Sequence, residues 1–362
     1  MYLESITATN FRNLVSLTLE FSHGVNVFYG DNGSGKTNLL EAIFVLFLGR
    51  SHRAALEAVM IHRESDFYRI EGTVHSDETT HSVAVACQRV GRKKATIDKV
   101  AVRLAELYNK FAVVAVGPED SEILSGPPSM RRNFIDIYLS QYSEKYLSSL
   151  ISYQKALGQK NAALKRQIDP APFNDLMIQH GAAIIMDRRG YLDRLQERAV
   201  DYYRQISGGG SFDLQYQPSV KINDGVCDAD TIAATFRQTL SDFSEREQIM
   251  ESSLIGPHRD DISFSINALP ARTHGSQGEW RTAAIALKLA LYHLIRERRG
   301  IYPILLLDEI FAELDHKRAR ALIGAFTEYK QLFLTTAVEP PDFLKENSRN
   351  YRIVDGEIAE IH

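Results

Sequence analysis

Gly30-Asp31-Asn32-Gly33-Ser34-Gly35-Lys36-Thr37 is a full match to G-x-x-x-x-G-K-[ST], and its flanks supply the context that the motif needs. The apolar run Val25-Asn26-Val27-Phe28-Tyr29 before it reads as a strand, and Thr37 to Leu48 after it as a helix. Each residue type has a mechanical reason. Glycines let the backbone wrap a β-phosphate with N–H groups at the positive end of a helix. Lys36 sets a point charge against β- and γ-phosphates, and the Thr37 hydroxyl ligates Mg²⁺. Gly30, Asp31, Asn32, Gly33, Ser34, Gly35, Lys36 and Thr37 are therefore the expected ATP-binding residues, with ATP and Mg²⁺ as the ligands. Lys36 is expected to face solvent in their absence.

A phosphate loop needs a second segment to hold the metal and activate water. Pro303-Ile304-Leu305-Leu306-Leu307-Asp308-Glu309 is an apolar strand ending in two acids. Asp308 is expected on Mg²⁺ and Glu309 as the acceptor of the attacking water's proton. Gly275-Ser276-Gln277-Gly278-Glu279 precedes a helical stretch about 30 residues ahead of that strand, where ABC-type ATPases carry their signature motif. Ser276, Gln277 and Gly278 would then meet a γ-phosphate held by a second subunit. Ser276 with Glu279 three residues on is also a helix-capping pair, and both roles are compatible. Glu313-Leu314-Asp315 stands at the position of the D-loop, whose Asp315 would cross a dimer interface. Arg12, in the turn Asn10-Phe11-Arg12-Asn13, either reaches the nucleotide or is an exposed turn arginine.

The rest of the chain sorts around these segments. Leu3 to Ala8 and Leu14 to Phe21 alternate as half-buried strands do, and Phe67 to Val102 reads as an antiparallel β lobe. Gly126-Pro127-Pro128 breaks the chain. Beyond it Leu150, Leu157 and Leu164, then Ile178, Ile185, Leu192 and Ala199, recur by sevens on either side of Asp169-Pro170-Ala171-Pro172, which predicts a short antiparallel helical hairpin. Strand character returns at Phe212 to Val220 and Ile262 to Ile266, followed by a helix near Glu279 to Arg298, the acidic strand, a helix near Lys317 to Tyr329 and a strand at Leu332 to Thr335. The expected fold is α/β: an ABC-type ATPase head with a mixed sheet and a β lobe, from residues 1–126 and 246–362, interrupted by a helical lobe at 127–245.

Composition narrows the function classes. Lys plus Arg is 42 against 46 Asp plus Glu, so a net charge of -4 gives no global attraction to phosphate backbones, and nucleic acid would need a local basic face. Candidates are Arg92, Lys93 and Lys94 on the β lobe and Lys160, Lys165 and Arg166 on the hairpin, although acids such as Asp187 and Asp193 interleave nearby. Two cysteines, Cys87 and Cys227, exclude a disulfide framework and a cysteine zinc site. No stretch reads as an export signal or membrane span, so a cytoplasmic protein is expected.

Taken in order, Asn10-Phe11-Arg12-Asn13, the phosphate loop, Pro118-Glu119-Asp120, Gly126-Pro127-Pro128 with Arg131-Arg132, Gly256-Pro257-His258-Arg259-Asp260-Asp261, Gly275-Ser276-Gln277-Gly278 and Leu307-Asp308-Glu309 resemble the motif series of the RecF family across nearly the whole chain. The resemblance implies ATP-driven homodimerisation, binding to single- and double-stranded DNA at junctions or gaps, slow hydrolysis, and work with RecR and RecO in loading RecA. Two departures stand out. Glu279-Trp280 replaces the Gln-Gln usual after Ser-Gln-Gly, and the acidic pair is Asp-Glu where Asp-Asp is common. The alternative readings are an SMC-like ATPase, for which the hairpin is short, and a transporter subunit, which would carry a histidine where this chain has Thr335-Thr336-Ala337.

Overall fold

A computed structural model describes residues 1–53, 56–76, 79–222, 228–310, 329–338 and 348–361. The chain divides into two compact units, Met1–Asp120 with Leu291–His362, and Ser121–Ala290. These compact units divide at 120/121 and 290/291, whereas the head and lobe expected from sequence are drawn by motif at 126/127 and 245/246. The reason is pairing. The strand Asp261–Ile266 runs antiparallel to Phe212–Gln217, and Asp261 takes two hydrogen bonds from Arg131, so the Gly256–Asp261 segment belongs to the helical unit.

The first unit holds two six-stranded sheets. One is wholly antiparallel: Leu14–Glu20, Tyr2–Phe11, Phe67–Ser76, Thr79–Gln88, Lys94–Ile97 and Val100–Val102, in that spatial order. Phe67–Ser76 alternates buried and less buried positions along its length, as a strand with one face in the core must. The other sheet runs Glu357–Ile361, Ser348–Val354, Gly24–Tyr29, Gln331–Thr336, Ile304–Leu307 and Val113–Val116, parallel apart from its terminal hairpin. Ile304–Leu307 is buried at every position, which is why it reads as an unbroken apolar run and not an alternating one. Helix Lys36–Leu48 buries every residue from Leu39 to Leu48, Glu41 included, and ends on Gly49 in the left-handed conformation. The closing hairpin is not among the strands expected from sequence. Its signal is Asp355-Gly356, both at positive φ, as the central residues of a two-residue turn.

In the second unit the helices Glu144–Lys165 and Ala171–Ser207 form the hairpin that the sevenfold spacing predicts. Leu150, Leu164, Ile178, Ile185, Leu192 and Ala199 are buried in it, and Leu157 is half-buried. Pro128–Tyr142 and Ala229–Asp242 are further helices of this unit, and Leu269–Pro270 completes its three-stranded sheet. The helix Gln277–Arg299 follows the signature segment. The helix expected near Lys317 and the D-loop Asp315 lie outside the described residues. Among the described residues no helix is long and apolar enough to cross a membrane.

Candidate functional site

Parallel strand order explains why residues far apart in sequence converge. Gly24–Tyr29 pairs with Gln331–Thr336, which pairs with Ile304–Leu307, so the phosphate loop and the acidic pair leave the carboxyl ends of strands separated by one strand. Open α/β sheets place ligands at such ends. The loop itself is fixed by neighbours on both sides. A Cβ on Gly30, at φ 145, would sit 2.2 Å from the Ile353 carbonyl oxygen, and one on Gly35, at φ 110, 3.1 Å from the Asn13 amide. Asn13 donates to the Gly33 carbonyl at 3.3 Å and accepts from Asn38 at 2.7 Å, while the Gly356 N–H reaches the Ser34 carbonyl at 2.7 Å. Sequence reading gives Asn13 and Gly356 no part in the loop, since neither lies in the phosphate-loop motif.

Lys36 does not face solvent. Its side chain is 3% exposed, and Nζ donates to the carbonyls of Gly30 at 2.8 Å and Asp31 at 2.9 Å, with the Glu309 carboxylate 3.7 Å away. An ammonium at the centre of a concave backbone turn finds acceptors in the turn itself, so burial follows from the loop's curvature. Thr37 Oγ1 donates to Asp308 Oδ1 at 2.9 Å, joining the loop to the acidic strand across 271 residues of sequence. Thr335 Oγ1 donates to the same carboxylate oxygen at 2.6 Å. Burial pushes the Asp308 carboxyl above its usual range, against the pull of the hydroxyls of Thr335 and Thr37, while neighbouring Glu309 pushes the same way as burial. Glu309 stands at φ 48, half-exposed, its N–H held by Thr335 Oγ1 at 2.9 Å.

The donor set suits a magnesium nucleotide. It offers hydroxyl and carboxylate oxygens from Thr37 and Asp308, a buried lysine within the loop, and a buried Ser34 Oγ without a hydrogen-bond partner. Arg12, by contrast, forms a two-pronged pair with Glu41, both contacts at 2.8 Å, and so fastens the first hairpin to the helix that follows the loop. Arg53 lies 3.9 Å from the same Glu41 and donates to Glu119 at 2.9 Å. Burial works against its charge, but Glu119, Glu41 and Asp308 outweigh that and raise its pKa. Sequence reading gives Arg53 no role, and no motif flags it.

In the second unit the signature segment caps its own helix. Ser276 N and Oγ both donate to Glu279 Oε2, at 2.9 and 2.8 Å, and the Glu279 N–H returns to Ser276 Oγ at 3.3 Å. Trp280 Nε1 donates to the Ala271 carbonyl at 2.7 Å and lies against Gly275, where a Cβ would approach Nε1 to 2.3 Å. Ser276 and Gln277 are exposed and Gly278 is half-buried.

The Gly256–Asp261 motif staples its unit through the buried Asp260, although Arg259 is exposed. Asp260, 1% exposed, receives Arg188 at 3.1 Å, the Ser219 N–H at 2.8 Å and the Tyr216 hydroxyl. Arg188 also donates to Asp136 at 2.8 Å and to the Pro257 carbonyl at 2.8 Å. Tyr153 donates to His258 Nδ1 at 2.7 Å and His258 Nε2 to the Ser253 carbonyl at 3.1 Å, and burial lowers the His258 pKa to about 4. Two of the basic residues expected to face DNA are tied up in the same manner. Lys160 is 1% exposed and paired with Glu247 at 2.6 Å, and Lys93 is paired with Glu57 and the Gly49 carbonyl. A lysine whose charge is already neutralised inside the fold does not gather phosphates. Arg92, Lys94, Lys165 and Arg166 are exposed.

The family model for the RecF/RecN/SMC N terminal domain matches residues 2–359. The DNA replication and repair protein RecF of Symbiobacterium thermophilum is 37% identical over 92% of this chain and 91% of its own length, and that of Geobacillus thermodenitrificans 36% over 99% of each. A solved structure of the recombination mediator protein RecF with ATP, in the RecFOR pathway, superposes with a TM-score of 0.91 at 29% identity, covering 100% of this chain and 97% of that one. Matched along its length in sequence and in backbone, with the phosphate loop, acidic strand and helical hairpin in place, the chain belongs to the RecF family of DNA replication and repair proteins, with the fold of an SMC-type ATPase head.

Proposed function

We propose that the chain is an ATP-switched DNA-binding protein that acts at single-strand/double-strand junctions or gaps. The observation that carries the ATP part of this reading is the convergence of Lys36, Thr37, Asp308 and Glu309 at the carboxyl ends of two strands of one sheet, with Thr37 bonded to Asp308 at 2.9 Å. ATP enters as substrate, with its phosphates on the N–H groups of residues 30–37 and on Lys36, which exchanges the Gly30 and Asp31 carbonyls for phosphate oxygens. Thr37 and Asp308 would hold Mg²⁺, which would supply positive charge against the β- and γ-phosphates. Glu309 accepts a proton from water as its oxygen bonds to the γ-phosphorus, the bond to the β,γ-bridging oxygen breaks, and ADP and phosphate leave. Ser276, Gln277 and Gly278 complete a second subunit's site, so that ATP binding closes a head-to-head homodimer. The solved RecF structure named above is of a recombination mediator protein in the RecFOR pathway, which supports RecR and RecO as partners and RecA loading as the outcome. Exposed Arg92, Lys94, Lys165 and Arg166 remain the candidates for backbone phosphates.

Light scattering of the full chain with and without ATP·Mg²⁺, and with gapped DNA, tests this reading. A dimer that forms only with ATP and binds gapped DNA is expected. A chain that stays monomeric at saturating ATP ends the head-to-head model.

A further inference from the structure

Thr335 is the penultimate residue of the strand that lies between the phosphate-loop strand and the acidic strand, and it is fully buried. Its single hydroxyl is used twice. The proton goes to Asp308 Oδ1 at 2.6 Å, and a lone pair receives the Glu309 N–H at 2.9 Å. Those two bonds reach both acids of the pair, one through its carboxylate and the other through its backbone. Glu309 needs such a clamp. At φ 48 it occupies the left-handed region, which costs about 1–2 kcal/mol for a residue with a Cβ. The conformation persists where surrounding bonds over-determine it, and here the peptide is fixed on one side by the Asp308 N–H to the Val116 carbonyl at 2.8 Å and on the other by Thr335. The turn sets where the Glu309 carboxylate points relative to Lys36, 3.7 Å away.

We propose that Thr335 is a positioning residue for hydrolysis: its hydroxyl holds Glu309 in the turn that aims its carboxylate while bonding the same Asp308 oxygen that Thr37 meets. The inference rests on the reading of Glu309 as the proton acceptor. Three observations separate it from ordinary packing. A buried strand-end residue needs no hydroxyl to fill space, since valine has the same shape. The hydroxyl is donor and acceptor at once, so no apolar residue replaces it. Its two partners are the metal-holding and proton-accepting acids of the reading above.

Single-turnover ATP hydrolysis by the full chain with Mg²⁺ and gapped DNA, together with equilibrium binding of a fluorescent ATP analogue, tests the proposal in Thr335→Val, Thr335→Ser, Glu309→Gln and the Thr335→Val/Glu309→Gln double variant. Loss of an orienting partner typically lowers activity about 10–100-fold, and that is the drop expected for Thr335→Val, with nucleotide affinity within about threefold of the parent. Thr335→Ser, which keeps both bonds, restores most of the rate. The double variant is no slower than Glu309→Gln, because the hydroxyl acts through the carboxylate already removed. Should the valine variant not fold, Thr335→Ala takes its place in the same cycle. A parental rate in Thr335→Val, a failure of serine to rescue, or a full additional loss in the double variant overturns the positioning role while leaving Glu309 in place. A parental rate in Glu309→Gln overturns the reading of Glu309 itself, and the proposal with it.

Discussion

The phosphate loop of the first unit is held from several directions, by Lys36 on its own carbonyls, by Asn13 on Gly33 and by Gly356 on Ser34, whereas the signature segment of the second unit holds chiefly itself, with Ser276 and Glu279 capping one another in the open. The difference concerns what a nucleotide has to rearrange. At the loop the backbone is already curved, and a phosphate takes over contacts that a lysine makes with carbonyls. At the signature segment the hydroxyl that would meet a partner's γ-phosphate is bound to a carboxylate, so a like charge has to move before closure. One segment is preorganised and the other is self-satisfied, and the two should respond differently to single substitutions.

The largest effect is expected at the preorganised side. Glu309→Gln removes the proton acceptor and leaves Lys36, Thr37 and Asp308 untouched, so hydrolysis should fall by about 10²–10⁴-fold, the usual contribution of a general base, with ATP binding intact and the dimer longer-lived. Single-turnover rates and light scattering on the same preparation decide it. A monomeric Glu309→Gln at saturating ATP would mean that closure depends on the carboxylate, and the division of labour between the two segments would collapse.

A second expectation sharpens the contrast inside the helical unit, where Asp260 and His258 of the Gly256–Asp261 motif sit in buried and half-buried hydrogen bonds and Ser276 and Gln277 of the signature segment are exposed. His258 has a pKa near 4 because burial disfavours its charge, against about 6.5 in an unfolded chain. The unfolded state therefore binds more protons between those values. The neutral imidazole's contribution is complete above about pH 6.5 and is lost as pH falls toward 4, on the order of 3 kcal/mol in all. Thermal melts across that window should show Tm falling toward acid more steeply than in His258→Gln, which keeps hydrogen-bonding groups without a titratable ring. Parallel curves for the two proteins would place the acid sensitivity elsewhere.

What is legible in the sequence follows the reach of local signals. Strand, loop and helix around Gly30–Thr37, the apolar strand before Asp308 and the hairpin heptads are all patterns within about a dozen residues, and periodicity or motif carries them. Thr335 stands out in the sequence only for not being histidine, because its bond to Glu309 spans 26 residues and depends on strand order. Lys160 and Lys93 are written with the same letter as Lys165 and Lys94, yet Glu247 and Glu57 neutralise the first two inside the fold. Charge clustering in sequence does not distinguish a lysine that meets solvent from one that meets a carboxylate. That Asp261–Ile266 groups with the helical unit is equally hidden, since a strand's allegiance is set by a partner that the sequence does not name.

The smallest effect is expected at Glu279, and it tests the self-satisfied half directly. Glutamine retains a capping oxygen three residues after Ser276, so the helix start and the Trp280 contact with Ala271 should survive Glu279→Gln. The substitution removes the negative charge now bonded to the Ser276 hydroxyl at 2.8 Å. For an exposed pair such a charge is worth about 0.2–1 kcal/mol, so ATP-dependent dimerisation should tighten by at most about fivefold. The gain should shrink as salt rises, because the repulsion between Glu279 and an incoming γ-phosphate crosses solvent. Ser276→Arg is the opposite control, a bulky side chain that blocks approach and leaves a monomer that still binds ATP. Sedimentation of the three proteins with ATP·Mg²⁺ at low and high salt separates the outcomes. Equal dimer affinities for the parent and Glu279→Gln at both salts would show that the carboxylate swings clear without consequence, and the contrast between the two segments would then reduce to exposure alone.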